Sequence, residues 1–459
     1  ASRHTRSSSD FFLGDRKVGP WVTGISYSAS ASSAWTLLGV SGAAFALGPP
    51  VIWVALGSFS GMVIAWWWVA PKLLAASHQQ QLVTFTDYLS DADERTRQPA
   101  LVRSVAAVIL IAFVFYIAAQ FQGAGLAVTE VFAVSDVLAI LGGALVILLY
   151  TCLGGYWAVS ITDTIQGIVM CLAAIALPVS TVVSLGGIDA VAELINTSDG
   201  HAPPGSPFTL SAVGFALGSL SISLGTFGQP HLMVRFMALK DHCARRTAAR
   251  ITLVWYLVVF SGMVLTGLVG RGLIDSLDNA EQIFFVLSEQ MMPPLAAGLL
   301  LAAVLSAIMS TADSQLLVCA STLSHDLIHP QRADDRYMLN RGRVAVVAVV
   351  VLALGVALYL PAPIFSRVLF AWSALGAAFG AIVIARVMNY EPPANTRMLS
   401  ILVGFFTTVL FYSYGNISPQ ETTNQLSFIL ATLSNLPGDP FERLVPFCLA
   451  AMVIIIKYK

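Results

Sequence analysis

Charge is scarce in this sequence. Asp, Glu, Lys and Arg make up only 11% of its 459 residues, whereas soluble domains average about 25%. So little charge cannot cover the surface of a soluble globular protein, and 57% of the residues are hydrophobic. These hydrophobic residues occur in runs of roughly 20, the length of a helix that crosses a bilayer. The sequence therefore predicts an all-α polytopic membrane protein.

Other features that are missing exclude further classes of protein. The net charge of −1 gives no basic excess for a nucleic-acid partner. The five cysteines show no paired spacing, so neither a disulfide framework nor a zinc site is expected. The sequence has no recognisable His/Cys/Glu metal-ligand spacing and no G-x-S-x-G nucleophile motif, so we do not expect an enzyme. No cleavable signal peptide is recognisable either.

Hydropathy along the chain predicts twelve membrane spans. Their approximate bounds are 21–47, 50–76, 102–128, 133–153, 157–183, 209–236, 248–273, 289–326, 342–362, 364–388, 397–415 and 441–457. With residues 1–20 in the cytoplasm, every Lys and Arg lies in or beside a cytoplasmic segment except Arg271, Arg367 and Arg443. Because cytoplasmic loops are rich in Lys and Arg, this asymmetry gives the predicted orientation.

Two of the predicted spans are interrupted by small, hydroxyl-bearing or helix-breaking residues. The first span contains GISYSASASSAW (24–35), and the sixth contains SISLGTFGQPH (221–231). Gly and Pro weaken a helix, and in lipid a broken helix survives only where it lines a protein cavity. The interrupted spans lead two consecutive blocks of five spans, which would enter the membrane from opposite sides. This pattern is typical of an inverted-repeat secondary transporter with its site at the breaks, although small residues also serve close helix packing.

This interpretation divides the chain into five parts. They are a cytoplasmic loop (1–20), a first inverted repeat (21–183), an external loop (184–208), a second inverted repeat (209–388) and two additional C-terminal spans with an external loop (389–459).

The eighth span carries an unusual polar face. The stretch LSAIMSTADSQLLVCA (305–320) places Ser310, Asp313 and Ser314 on one side of a helix with Thr311 beside them, because residues three and four apart share a face. An intramembrane carboxylate usually faces a cavity and marks an ion path. Hydroxyl, carboxylate and carbonyl oxygens suit the hard cation sodium, so we predict an ion site here. Any single hydroxyl is equally explained by bonding back to its own helix or to a neighbouring helix.

A second embedded acid lies near the start of the fifth span. The stretch GGYWAVSITDTIQG (154–167) carries Asp163 between Thr162 and Thr164. This acid supports the ion-path interpretation, although an Asp at the membrane interface could instead cap the helix.

Four motifs resemble those of a known family. They are FFLGDRKVGPWVTGIS (11–26), TCLGGYWAVSITDTIQG (151–167), FGQPHLMVRFMA (227–238) and AAVLSAIMSTADSQLLVCAS (302–321). In their order and spacing, over about residues 10–390, they resemble the sodium:solute symporter family and most closely its sodium/proline symporter branch.

The resemblance implies a LeuT-type 5+5 inverted-repeat core with extra C-terminal transmembrane helices, located in the cell membrane. It also implies that sodium drives the uptake of a solute by alternating access. Members usually have a further helix before this core, and residues 1–20 are expected to be the cytoplasmic loop that follows it.

The resemblance also implies a principal sodium site. Its ligands would be the backbone carbonyls of Ala29, Ser32 and Ala307 together with the hydroxyls of Ser310 and Thr311. The sequence keeps a suitable oxygen at each of these positions.

Some members resemble a two-sodium design, in which an acid of the fifth span faces hydroxyls of the eighth. Here Asp163 would face Ser310, Asp313 and Ser314. Asp313 stands where relatives often have Ser. This added carboxylate could strengthen a second sodium site or accept a proton.

The substrate is expected to bind beside the two breaks. The candidate pocket residues are Ser33, Trp35, Tyr116, Ile222, Thr226, Gln229 and Pro230. Proline symporters have Asp at the position of Ala31 and aromatic residues at those of Ile222 and Thr226, and these differences change the cavity volume and remove stacking surface. The resemblance therefore points to a small amino acid or similar zwitterion such as proline, without fixing which one.

These inferences predict a sodium-coupled symporter whose partners are sodium, a small organic solute and the bilayer. The alternative is a symporter-like sensor that binds a solute in order to signal. We expect a carrier, because the sequence carries no soluble kinase-like extension. Accumulation of the solute against its gradient would separate the two functions.

Overall fold

The computed structural model describes residues 13–91, 98–132, 134–153, 156–198, 210–327, 335–360, 362–422 and 424–457. Helices make up nearly all of this part of the chain, which confirms the all-α prediction.

Within the described ranges, the long helices follow the order of the predicted spans, and the first and sixth are broken. Their bounds are Pro20–Ala31 (α1a), Trp35–Leu47 (α1b), Pro49–Gln80 (α2), Pro99–Phe132 (α3), Asp136–Leu153 (α4), Tyr156–Ser184 (α5), Ser211–Gly228 (α6a), Pro230–Ala238 (α6b), His242–Leu273 (α7), Pro294–Asp326 (α8), Asp335–Tyr359 (α9), Ile364–Val387 (α10), Ala394–Gly415 (α11) and Val445–Ile456 (α12).

Most of the predicted spans have the length that a bilayer requires. Nine helices of the described chain are long and apolar enough to cross a membrane, and the pair α1a and α1b, bent by 56°, makes a tenth. The two remaining predicted spans coincide with shorter helices. The apolar part of α4 is Asp136–Leu149, and α12 has 12 residues and follows the short helix Pro440–Arg443.

The eighth span begins later than predicted. Its helix starts at Pro294 rather than at residue 289, because Ile283–Met291 forms a separate helix before it. Pro293 and Pro294 separate the two helices, since proline has no backbone N–H with which to continue a preceding helix. Two further helices, Ile188–Ser198 and Gln425–Ser434, lie in segments that the sequence predicts to be external loops.

Both predicted breaks are present, and each has a local cause. In the first span, α1a ends at Ala31 and the chain bends at Ser32 before α1b begins. In the sixth span, Gln229 is extended with φ −81° and ψ 104°, and Pro230 is the first residue of α6b. Proline is well suited to the first position of a helix, because the N–H it lacks would have no partner inside that helix.

The broken helices lie against α10, the most buried of the nine long apolar helices of the described chain. In the most apolar 18-residue stretch of α10, 94% is buried inside the protein. Three glycines let α6a approach it closely. A Cβ on Gly225 would lie 3.0 Å from the Trp372 carbonyl oxygen, and one on Gly228 only 2.1 Å from that of Leu375. On the side of α10, a Cβ on Gly376 would lie 2.5 Å from the Gly225 Cα. Small residues are what allow two membrane helices to approach each other so closely.

A polar network holds the segment after α2 to the inner end of α8. The short helix Phe85–Ser90 is capped by Thr84, whose backbone N–H donates to Asp87 Oδ2 at 3.0 Å. The Thr84 hydroxyl donates to Asp326 Oδ1 at 2.7 Å, and His325 Nδ1 lies 3.2 Å from the same oxygen. Asp87, His325 and Asp326 are buried together, so these contacts fasten the loop helix to α8.

An ion-pair network ties the same loop to α10 and α11. Asp91 pairs with both Arg386 and Arg397, and these guanidinium groups also donate to the carbonyl oxygens of Tyr88 and Leu89. Partial burial raises the pKa of Asp91, but hydrogen bonds from Arg397 and Arg386 and their positive charges outweigh it, so the pKa lies below its ordinary value.

We predict that Asp91→Asn destabilises the protein by roughly 2 kcal/mol at neutral pH, because it removes charged hydrogen bonds from two nearly buried guanidinium groups. Because the folded pKa is lowered, the carboxylate stabilises above the ordinary Asp value of 3.8 and loses this effect as pH falls through the folded pKa. The melting temperature in detergent should therefore drop at neutral pH, and the difference from the unaltered protein should shrink in acid. Asp189→Asn, at an exposed position, is the control, and an equal drop for both variants would contradict the network.

We predict that Gly228→Ala also destabilises, by roughly 1–3 kcal/mol, because a Cβ there meets the backbone of α10 and forces it to move. Gly298→Ala in α8 is the matched control, since a Cβ at that position meets nothing within 4 Å. Alanine is favoured over glycine inside a helix by roughly 0.5–1 kcal/mol. In thermal unfolding, only Gly228→Ala should show a lower melting temperature. An unchanged value for this variant would show that α6a and α10 are not in close contact.

Candidate functional site

The break in the first span leaves backbone groups that other residues bind. The Ser32 N–H donates to the Ala29 carbonyl oxygen at 3.2 Å, which closes the last turn of α1a. Beyond it, the Ala34 N–H donates to Gln120 Oε1 of α3 at 3.1 Å, and the Trp35 N–H donates to Ser33 Oγ at 3.1 Å. Buried backbone groups in a membrane must find partners inside the protein, so Gln120, which sequence reasoning missed, is part of the break.

Two hydroxyls of α8 face the carbonyl oxygens at this break. Ser310 Oγ lies 3.2 Å from the Ala29 carbonyl oxygen and 3.1 Å from that of Ala307. Thr311 Oγ1 lies 3.0 Å from the carbonyl oxygen of Ser30. We call Ala29, Ser30, Ala307, Ser310 and Thr311 the carbonyl–hydroxyl cluster.

The carbonyl–hydroxyl cluster includes four of the five residues predicted for the principal sodium site. The fifth, Ser32, is fully buried at the bend, and its hydroxyl has no hydrogen-bond partner. The contact of Thr311 is with Ser30, which the sequence analysis did not single out. The oxygens are neutral, and α1a ends beside them, where a helix presents the negative end of its dipole. This donor set suits a small hard cation.

A charged cluster lies next to the carbonyl–hydroxyl cluster. Asp163 of α5, which is fully buried, accepts a hydrogen bond from Arg235 Nη2 of α6b at 2.5 Å. The same nitrogen lies 2.6 Å from Ser30 Oγ and 2.8 Å from Ser314 Oγ. Asp313 Oδ1 lies 3.3 Å from Ser314 Oγ. We call these five residues the charged cluster.

The charged cluster contains the three residues of the predicted second cation site. Asp163, Asp313 and Ser314 come together as expected of a site between α5 and α8. One oxygen of each carboxylate, Oδ1 of Asp163 and Oδ2 of Asp313, is buried without a hydrogen-bond partner among the described residues. Asp163 is therefore deep in the protein rather than an interfacial helix cap.

Sequence reasoning missed Arg235. Its guanidinium is almost completely buried and makes two further contacts, with Ser26 Oγ at 2.9 Å and with the His231 carbonyl oxygen at 2.6 Å. In the sequence it lies at the cytoplasmic end of a span, where a basic residue is ordinary. The available signal was its place inside the motif FGQPHLMVRFMA (227–238), in the same apolar segment as Pro230.

Several rings lie beyond the break, and we call them the aromatic group. Trp35 packs on Phe260, Phe365 and Trp372 with ring centroids 5.5, 5.9 and 6.4 Å away. Trp372 Nε1 donates to the Tyr116 hydroxyl at 3.0 Å. Ser33 Oγ accepts from the Trp35 N–H at 3.1 Å. Three predicted pocket residues, Ser33, Trp35 and Tyr116, are therefore connected, and Trp372 joins them without any signal in its apolar sequence context.

The other predicted pocket residues lie at the sixth-span break. Ile222 and Thr226 flank Gly225, which packs on Trp372 and so brings this segment beside the aromatic group. Gln229 Nε2 donates to the Gly225 carbonyl oxygen at 3.2 Å, while Gln229 Oε1 and Thr226 Oγ1 are buried without partners. Pro230 is buried at the start of α6b.

All seven predicted pocket residues are buried in this conformation. A small cleft lies elsewhere. It extends from Thr84, Tyr156 and Ser321, near the cytoplasmic side of the predicted orientation, to Arg235 and Ser314 of the charged cluster. The cleft thus reaches the charged cluster but not the predicted pocket.

Comparison with known proteins identifies the family. The sequence matches the sodium:solute symporter family over residues 11–404. It is 32% identical to the sodium/proline symporter of Escherichia coli (strain K12), across 90% of this chain and 84% of that protein. It is 33% identical to a high-affinity proline transporter of Bacillus subtilis (strain 168), across 90% of this chain and 89% of that protein.

The fold is also found in solved structures. A substrate-bound, outward-open Na⁺-coupled sialic acid symporter superposes with a TM-score of 0.77 at 16% identity, covering 99% of this chain and 93% of that one. A nucleobase-cation-symport-1 family transporter in a closed conformation gives a TM-score of 0.55 at 11% identity, with 97% and 94% covered. These similarities confirm the LeuT-type fold. The chain belongs to the sodium:solute symporter family, as a multi-pass protein of the cell membrane.

Proposed function

We propose that this protein is a sodium-driven symporter that takes up a small organic solute by alternating access. One observation carries the proposal. The carbonyl–hydroxyl cluster joins the broken first span to α8 through two neutral oxygen contacts of 3.2 and 3.0 Å, at the carbonyls of Ala29 and Ser30. A site of this kind suits a monovalent cation, and it lies where the chain can bend.

Sodium, as the co-transported ion, would be bound by the carbonyls of Ala29, Ser32 and Ala307 and by the hydroxyls of Ser310 and Thr311. Support comes from the chemistry of these groups: all are uncharged oxygens, and the carbonyls of Ala29 and Ala307 lie 3.2 and 3.1 Å from the Ser310 hydroxyl. In transporters with discontinuous helices, carbonyls at the C-terminal end of a half-helix take this role. The end of α1a at Ala31 presents such carbonyls.

Ion binding would be coupled to solute binding through the break. Ser32, Ser33 and Trp35 follow one another across the bend. Trp35 belongs to the aromatic group, and Ser33 accepts a hydrogen bond from the Trp35 N–H. An ion that orders the end of α1a therefore also orders the start of α1b beside the proposed pocket. Thermodynamic linkage requires the effect to be reciprocal, so the solute must tighten sodium binding by the same factor.

For the solute, we propose an amino acid, with proline as the first candidate. Support comes from the two curated relatives, which are named for proline. Ile222 and Thr226 give this pocket a different lining from the one expected of proline symporters, so a related small zwitterion remains the alternative. A solute carboxylate at the break would replace Gln120 and Ser33 as the partners of the Ala34 and Trp35 amides.

We also propose that residues 21–183 and 209–388 are the two inverted repeats, with residues 389–459 outside the repeats. Support comes from the breaks in α1 and α6, which lead the two blocks. Residues 1–20 and 184–208 lie partly outside the described residues.

The test of the sodium site is Thr311→Ala. Loss of a ligand hydroxyl should weaken sodium binding at least tenfold, which corresponds to about 1.4 kcal/mol. Because this hydroxyl also donates to the Ser30 carbonyl oxygen, the melting temperature measured without sodium should fall too, by about as much as in the matched control. Sodium affinity of the purified protein can be measured by titration with ²²Na⁺.

Thr408→Ala is the matched control. Thr408 is also a fully buried threonine, but its hydroxyl donates at 2.9 Å to the Gly404 carbonyl oxygen of its own helix. We expect this variant to keep its sodium affinity. If Thr311→Ala bound sodium as tightly as Thr408→Ala does, the assignment of the site would be wrong.

A further inference from the structure

Arg235 lies at the junction of four helices. Its guanidinium contacts Ser26 and Ser30 of α1a, Asp163 of α5 and Ser314 of α8, while its own backbone belongs to α6b. Every one of these contacts is buried. The guanidinium therefore occupies the centre of the charged cluster, between the oxygens that could otherwise bind a second ion.

We propose that Arg235 is a built-in cation that fills this second cation site, so that the protein binds one sodium ion and not two. The inference rests on the proposed function, because it takes the carbonyl–hydroxyl cluster to be the site that remains. It assigns to Arg235 the role of setting the ion stoichiometry.

The contacts of a single nitrogen atom support this role. Arg235 Nη2 lies 2.5 Å from Asp163 Oδ2, 2.6 Å from Ser30 Oγ and 2.8 Å from Ser314 Oγ. A carboxylate and two hydroxyls are also the groups that a hard cation would bind. Because the three oxygens converge on one positive nitrogen, a sodium ion cannot bind the same oxygens while the guanidinium is present, and like charges so close together in a buried site repel strongly.

The charge of the cluster indicates what removal of the arginine would do. Asp313 interacts electrostatically with both Asp163 and Arg235. Its Oδ2 and the Oδ1 of Asp163 are buried without hydrogen-bond partners. Two acids thus face one guanidinium. Without it, two carboxyl groups and two hydroxyls would remain around a space left by a large side chain, with strong attraction for a cation.

An ion could reach this space from one side. The cleft from Tyr156 and Ser321 is lined at its inner end by Arg235 and Ser314. Truncation of the arginine would connect the cleft with Asp163. In the predicted orientation this path leads to the cytoplasm.

The test measures how many ²²Na⁺ ions the purified full-length chain binds at saturation. We expect about one ion for the unaltered protein, with a Hill coefficient near one. Arg235→Ala should bind about two. Arg235→Lys keeps a cation in place and should again bind about one. Arg235→Ala combined with Asp163→Asn should return the count to about one, because the new site has lost the carboxylate that the guanidinium contacts.

The same variants separate this role from a structural one. If Arg235 only linked helices, Arg235→Ala would lower the melting temperature, and added sodium would not restore it. We expect sodium to raise the melting temperature of Arg235→Ala more than that of the unaltered protein, because a second ion binds only to the folded state. Arg235→Gln, which is uncharged but still forms hydrogen bonds, gives the same readouts if the alanine variant does not fold.

Three results would overturn the inference. Two ions bound by the unaltered protein would show that Arg235 does not exclude the second ion. One ion bound by both Arg235→Ala and Arg235→Gln would show that no hidden site exists, and would leave the proposed function intact. No sodium bound by the unaltered protein would instead contradict the proposed function itself, and with it the inference.

Discussion

The contact between α8 and the end of α1a is the interaction on which the other features of the site depend. A membrane helix that stops halfway must have its free carbonyls bound by something other than water. Here Ser310 and Thr311 lie against the carbonyls of Ala29 and Ser30. The hydroxyls can bind these carbonyls or share them with a cation, and either arrangement holds the break against α8. Stabilising the bend and binding the ion thus require the same oxygens.

Ser30 connects the two clusters. Its carbonyl oxygen accepts from Thr311, and its hydroxyl contacts both Arg235 and Asp163. A change at one cluster therefore acts on the other through a single residue of α1a. Because Arg235 belongs to α6b, the link also spans the two broken helices. Any movement that separates α6b from α5 must withdraw the guanidinium from Asp163, which would leave a buried carboxylate that attracts another cation.

Much of this arrangement could be predicted from sequence, for a physical reason. Polar residues inside apolar segments are costly unless they have a function, so Asp163, Asp313 and the breaks at Ser32 and Pro230 stand out. Arg235 does not, because a basic residue at the cytoplasmic end of a span is common. Trp372 is equally hidden within an apolar helix. Partners such as these are defined by helix packing, which hydropathy and motif spacing do not describe. The start of α8 and the lengths of α4 and α12 also differ from the prediction; for α8 the cause is local, because hydropathy does not register the break at Pro293 and Pro294.

The most direct test of the account is uptake of a labelled amino-acid panel, including proline, into proteoliposomes with and without an inward sodium gradient. We predict that at least one small amino acid accumulates above its external concentration, and only when the gradient is present. Sodium-dependent binding without accumulation would contradict symport and favour the sensor. Accumulation that does not depend on sodium would contradict the ion assignment.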